Sequence, residues 1–358
     1  MRAWHPRLAV AFAIGCASCS LLSSLDYLQA HRDAAGLDGD GGPGSGPSNG
    51  GPADASGTCP PAEWSTCGVI SVAADVTTTA ISAAGDQQSV YYADEHGSVL
   101  TAKCGATCSP TSTVVTGEEP ILFLGYNAVS LYWLTAAAVR RFPLYPDAGG
   151  VTTTTTVRNP HGLSTLYPNV AWADDDGVRM EGVLGSTGLH TVSTVAATAP
   201  LLTSKELLFI GAGQVQRCTI DSFPGGCSNP GALAGTDAAM FVAFAIGFAD
   251  SSPIFTTGGI VATVPRDGGT SFVLAEQPDD AGVLPSIADT TDTVVAVTAS
   301  VDDVYFTTTS GELRRRSRNQ PGVITMLSGL GRRTYLAADQ GGVFVADPEA
   351  RQLLHVAR

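Results

Sequence analysis

A short phrase recurs seven times in this 358-residue chain and constrains its fold more than any other feature. It runs from an apolar residue through one or two aromatics and a small or apolar residue to, usually, Asp or Thr. The copies are YYAD at 91–94, YWLT at 132–135, AWAD at 171–174, LFIG at 208–211, IFTT at 254–257, YFTT at 305–308 and FVAD at 344–347. Their first residues stand 41, 39, 37, 46, 51 and 39 apart. Self-similarity at a period of about 40 residues signals an array of like supersecondary units.

The units are made of strands. The sixth parses as 293–300 (TVVAVTAS), 304–309 (VYFTTT), 312–317 (ELRRRS) and 323–327 (VITML); the second as 121–125, 131–135, 139–143 and 151–157. Apolar or alternating runs bounded by Gly, Asp, Asn and Pro are strand and hairpin signals. No segment carries a long helical period. The apolar run 238–249 (AAMFVAFAIGFA) is too short to span a bilayer and reads as the buried first strand of the fifth unit, with a short helix as its alternative. Four strands per unit, repeated radially, give an all-β chain with a single β-propeller. Seven blades are expected, with six or eight as neighbouring solutions. The last unit supplies three strands, at 334–338, 342–346 and 352–357, while 68–77 precedes the first unit as an orphan. That N-terminal strand is expected to close the last blade and remove a free edge. The aromatics fall on the second strand, where flat side chains fill the space between blades, so they read as packing and not as a binding stripe.

The formal net charge is −14, with only two lysines, Lys103 and Lys205. Such a chain has no attraction for phosphate backbones, so nucleic acid is not an expected partner. The one basic cluster, Arg314-Arg315-Arg316 with Arg318, reads as a solvated outer strand.

Residues 1–15 read as an export signal, with Arg2 and Arg7 ahead of an apolar stretch of eight residues from Leu8 to Gly15. Residues 36–57 are nearly devoid of apolar side chains and read as the core of a flexible Gly/Pro/Ser tether spanning 16–57. The folded head is then 58–358. Six cysteines of the head fall in close pairs, Cys59–Cys67, Cys104–Cys108 and Cys218–Cys227. Six cysteines allow fifteen pairings; local disulfides are expected, because an exported chain meets an oxidising compartment.

Ala13-Ile14-Gly15-Cys16 resembles a bacterial lipobox, with Ala13 where Leu is usual. The resemblance implies lipidation of Cys16, with Cys19 as the alternative, and anchoring to the outer membrane or cell surface of a Gram-negative bacterium. The repeats resemble propellers of YWTD and NHL type and bacterial TolB-like propeller lipoproteins; Tyr91-Tyr92-Ala93-Asp94 comes nearest to a YWTD motif. The resemblance covers the repeat region and implies fold far more than activity.

Catalytic signatures are missing from the sequence: it has no G-x-S-x-G elbow, no H-E-x-x-H and no P-loop. Gly39-x-Gly41-x-x-Gly44 lies in the tether, without the strand and helix a dinucleotide site needs. Asp174, Asp175 and Asp176 form the best carboxylate cluster, a weak Ca²⁺ candidate set against a polar hairpin turn. Asp279-Asp280 and Asp302-Asp303 read as loop acids, and His96 as a solvated turn residue. Asn127, Asn169 and Asp250 are candidates for an axial metal site, although no spacing selects them. No cofactor and no catalytic residue is nominated. The expectation is a monomeric, lipid-anchored, non-enzymatic module that binds a protein or glycan at the cell envelope. A propeller lactonase, lyase or dehydrogenase and a structural envelope component are the alternatives.

Overall fold

The computed structural model describes residues 68–358 except 85–88, 106, 118, 146–148, 183–187, 204, 221–226, 233–243, 248–251, 258–259, 264–271, 274–291, 301 and 318–321. All regular structure among the described residues is strand. Strand β1, Val69–Ala74, comes first. The first sheet then holds β2–β5 (Thr78–Ala84, Ser89–Asp94, Val99–Lys103, Ser112–Val115). The second holds β6–β9 (Phe123–Tyr126, Ser130–Leu134, Ala138–Pro143, Thr152–Thr156), and the third β10–β13 (Gly162–Leu166, Asn169–Asp174, Gly177–Gly182, Leu189–Ser193). The fourth holds β14–β17 (Ala197–Leu202, Glu206–Gly211, Gln214–Ile220, Cys227–Ala232), and the fifth β18–β21 (Phe244–Gly247, Ser252–Thr257, Ile260–Thr263, Phe272–Val273). The sixth holds β22–β25 (Val294–Ala299, Asp303–Thr308, Leu313–Ser317, Val323–Leu327), and the last β26–β28 (Tyr335–Ala338, Gly342–Asp347, Gln352–Ala357).

The strands make seven four-stranded antiparallel sheets, each in chain order except the last, which runs β26-β27-β28-β1. There β1 pairs with β28, Val69 opposite Val356 and Ala74 opposite Gln352. The first strands meet in a closed ring: β2 touches β6, then β10, β14, β18, β22 and β26 follow, and β26 returns to β2. This is an all-β propeller. Within the apolar run at 238–249, Phe244–Gly247 is the strand β18, and the remainder lies outside the described residues. Among the described residues no helix is long and apolar enough to cross a membrane.

Burial follows the radius. The second strands β7, β23 and β27 are buried at every position, whereas the outermost β9 and β13 are exposed or half-buried throughout. The hydrophobic clusters lie between sheets. One joins Phe344, Ala346 and Leu353 to Ile81, Val90 and Tyr92 across the last and first sheets. Another joins Ala171 and Met180 to Leu207 and Phe209 across the third and fourth. A sheet whose two faces are both covered needs apolar side chains at consecutive positions, and the recurrent phrase supplies them: Tyr92, Trp133, Trp172, Phe209, Phe306 and Phe344 are all buried.

The inner strands are also strapped by hydroxyls. Tyr126 N–H donates to Ser82 Oγ at 3.2 Å, Thr165 Oγ1 donates to Tyr126 O at 2.9 Å, and Leu202 N–H donates to Ser164 Oγ at 2.9 Å. The approach is close: a Cβ on Gly125 would stand 2.6 Å from Thr165 Cγ2.

Candidate functional site

The terminal Asp or Thr of the phrase has a role that the aromatic pattern does not show. In four copies it begins the turn between the second and third strands and its side chain accepts amides of that turn. Asp94 Oδ1 accepts from His96 and Ser98 at 2.9 and 2.8 Å. Thr135 Oγ1 accepts from Ala137 and Ala138, Asp174 Oδ1 from Asp176, and Asp347 Oδ1 from Glu349 and Ala350. Short polar side chains favour such turns because they bond to backbone two or three residues on.

These turns share one end of the ring with the connectors that run from each outer strand to the next sheet. At several junctions charge pins the two together. Between the second and third sheets, Asp175 Oδ1 meets His161 Nε2 at 2.8 Å and Asp176 Oδ1 meets Arg158 at 2.7 Å, while Arg179 donates to Thr156 O at 3.3 Å. The His161 hydrogen bond, aided by Asn159 and Arg158, holds the Asp175 carboxyl below the usual aspartate range. Leading into the sixth sheet, Asp292 accepts from Ser310 N–H and Arg314 at 3.0 and 2.8 Å. Burial alone would raise the Asp292 pKa, but these contacts outweigh it and the group lies below its ordinary value. Leading into the last sheet, Gly331 N–H donates to Asp347 Oδ2 at 2.8 Å and Arg332 N–H to Glu349 Oε2 at 3.1 Å. Where the ring closes, Arg351 donates to Thr77 Oγ1 at 2.7 Å and to Glu95 Oε1 at 3.2 Å.

The junction of the third and fourth sheets is built differently. The phrase there ends in Gly211, and the turn uses left-handed Ala212 (φ 52°) and Gly213 (φ 76°), which need no side-chain cap. Opposite the aromatic on the third strand, the third sheet pairs Trp172 with Arg179 and the sixth pairs Phe306 with Arg314. The fourth pairs Phe209 with Gln216, whose amide turns back to Gly211 O at 3.4 Å. Among the described residues no hydrogen bond or ion pair joins connector 194–196 to turn 211–213. A cleft of about 430 Å³ results, lined by β13 and its connector on one side and by Phe209, Gly211, Ala212 and Gln216 on the other. None of its lining residues is ionisable, and its lining is mainly apolar.

The sequence-nominated residues distribute as follows. Asp174, Asp175 and Asp176 share a turn but diverge: Asp174 faces Arg179 at 3.3 Å, Asp175 faces His161 and Asp176 faces Arg158. Arg179 also reaches Asp176, at 3.4 Å, and the three carboxylates face different partners, so they do not converge as a Ca²⁺ site would require. Among the described residues no group of three or more His, Cys, Asp or Glu is placed to hold a metal. Asn127 Oδ1 accepts from Val129 and Ser130 and caps its own turn, and Asn169 opens β11; Asp250 lies outside the described residues. His96 is exposed in its turn, 3.9 Å from Glu95.

Two expectations need correction. The arginine run is not a solvated outer strand: it sits on β24, the third strand, where Arg314 bonds Asp292 and Glu312, and Arg315 lies 4.0 Å from Asp303. Asp303 is not a loop acid but fully buried, with Arg358 Nε at 2.7 Å from Oδ2; Asp302 holds the same guanidinium at 2.9 Å. Repeat position alone did not show that these charges lie between sheets. Cys104 and Cys108 form a disulfide after β4. Cys218 is also disulfide-bonded, and the backbone of Cys227 pairs with its neighbour Ile220. Cys16, Cys19, Cys59, Cys67, Asp279 and Asp280 lie outside the described residues.

No family model and no curated protein matches the sequence. Solved structures do match in shape. The β-propeller domain of Cps50 (Swd1) from Myceliophteria thermophila superposes with a TM-score of 0.62 at 12% identity, covering 81% of this chain and 99% of that one. The WD40 repeats of RRP9 give 0.60 at 10% identity, covering 81% and 97%. The WD40 β-propeller domain of Doa1 gives 0.58 at 12% identity, covering 80% and 96%. At these identities the likeness shows the fold alone: a β-propeller of WD40-like form.

Proposed function

We propose that this chain is an exported, lipid-anchored binding module of the cell envelope, a tethered propeller of the TolB-like layout whose head engages a protein or glycan. The observation that carries the proposal is the intact WD40-like scaffold with an open, uncharged cleft on its connector-and-turn end. The sequence supplies the rest of the reading: a lipobox at Cys16, a tether over 16–57 and paired cysteines. The buried inner strands favour binding over axial catalysis. Every residue of β6 and β10 is buried, which leaves those strands few side chains to offer a substrate in the channel.

Affinity capture from detergent-solubilised envelope tests the proposal, using the full chain as bait and the reduced, urea-unfolded chain as control. A saturable protein or glycan partner held only by the folded chain is expected. Turnover of a lactone or polysaccharide panel, with no partner retained, would overturn the reading in favour of an enzyme.

A further inference from the structure

The cleft between the third and fourth sheets can be assigned an occupant class. It exists because two positions depart together from the pattern of their sister blades. Gly211 stands where the third sheet has Asp174, and Gln216 where the third and sixth have Arg179 and Arg314. In those blades the arginine reaches across the junction, Arg179 to Thr156 O at the end of β9 and Arg314 to Asp292 ahead of β22. Packing does not demand glycine here: a Cβ on Gly211 would meet its neighbours at 3.5 Å, an ordinary contact, and no left-handed φ is needed.

The walls define what fits. Phe209 and Val192 are apolar, Thr191, Ser193 and Thr194 are polar and neutral, and none of these side chains is charged. Strand β13 ends its sheet, so among the described residues its outer backbone edge has no strand partner. Among the described residues five large hydrophobic side chains are exposed, and two of them, Leu189 (47%) and Val195 (57%), bracket this strand. A free edge offers backbone donors and acceptors, and a pocket beside it selects alternate side chains of an added strand. The absence of charge in a chain of net −14 selects an uncharged occupant, since desolvating an unpaired charge there would be costly.

We propose that the cleft receives an extended, uncharged polypeptide segment that adds to β13 as a fifth strand and places an aliphatic or aromatic side chain over Phe209. The inference deepens the binding-module reading and rests on it. The test uses a fluorescein-labelled, C-terminally amidated peptide without ionisable side chains, Ser-Thr-Leu-Thr-Val-Thr-Ser, titrated with the full chain and followed by anisotropy. Saturable binding is expected, at least tenfold weaker when alternate amides are N-methylated or the Leu becomes Asp. The double variant Gly211→Asp, Gln216→Arg, which copies the third blade, should also lose at least tenfold with an unchanged thermal transition. Val195→Asp, at an exposed position, should weaken binding without any demand on folding. No saturable binding to the wild-type chain, or equal binding by the filled variant and by Val195→Asp, would overturn the proposal. A partner captured from envelope by both wild-type and filled chains would sink the cleft while leaving the binding module standing.

Discussion

Asp347 does most for its turn. Fully buried, it accepts two amides of its own turn and one from the connector at Gly331. Its replacement by Ala leaves three donors without their acceptor and should cost about 3 kcal/mol in urea unfolding, whereas Asp94→Ala, at a half-exposed turn, should cost about 1 kcal/mol. Equal losses would mean that the connector bond contributes nothing. Asp292 adds a pH signature. Its folded pKa lies below the ordinary value, so its stabilisation is present above that value and is lost as pH falls through the folded pKa. The urea midpoint should therefore fall more steeply below pH 4 in the wild type than in Asp292→Asn. Glu181 runs the other way. Burial raises its pKa, partly offset by Arg141, and its Oε2 is buried without a hydrogen bond. The neutral form is favoured on folding, so this contribution is present below the ordinary glutamate pKa and lost as pH rises through the folded value. Glu181→Gln should leave stability at pH 7 equal or higher, and a clear loss would contradict the assignment. Sequence showed acids at these places but not their partners: Arg179 and Arg314 are set opposite an aromatic by strand register, which a linear repeat does not display.

The second strands carry the packing, and their aromatics were the most legible part of the chain. A buried aromatic in six repeats, among the described side chains, is what a sheet covered on both faces requires, and Trp172→Ala should cost about 3–5 kcal/mol. The close approach of neighbouring inner strands was not legible, because Gly125 faces Thr165 across a separation of forty residues in sequence. Gly125→Ala should destabilise by about 1–3 kcal/mol through overpacking. Adding Thr165→Ala should recover part of the loss despite removing a hydrogen bond; strictly additive losses would argue against the contact. The glycine of the β23–β24 turn is equally constrained. Gly311 has φ 79°, and a Cβ there would lie 2.2 Å from Leu330 O.

At the scale of the molecule, radial repetition accounts for the fold, and departures from it account for the candidate site. The spacing of the phrase made an all-β propeller legible before any coordinates, since one supersecondary unit of that length cannot bury its own faces. The open junction was not legible, because Gly211 and Gln216 are unremarkable until register sets them against Asp174 and Arg179. The proposed anchoring of this head to a membrane through Cys16 is tested most directly by flotation of the full chain with lipid vesicles after expression in a Gram-negative host. Wild-type chain should float, with a diacylglyceryl mass on its Cys16 peptide, while Cys16→Ser should stay in the soluble fraction with an unchanged circular dichroism spectrum. Flotation of both forms, or of neither, would contradict the account.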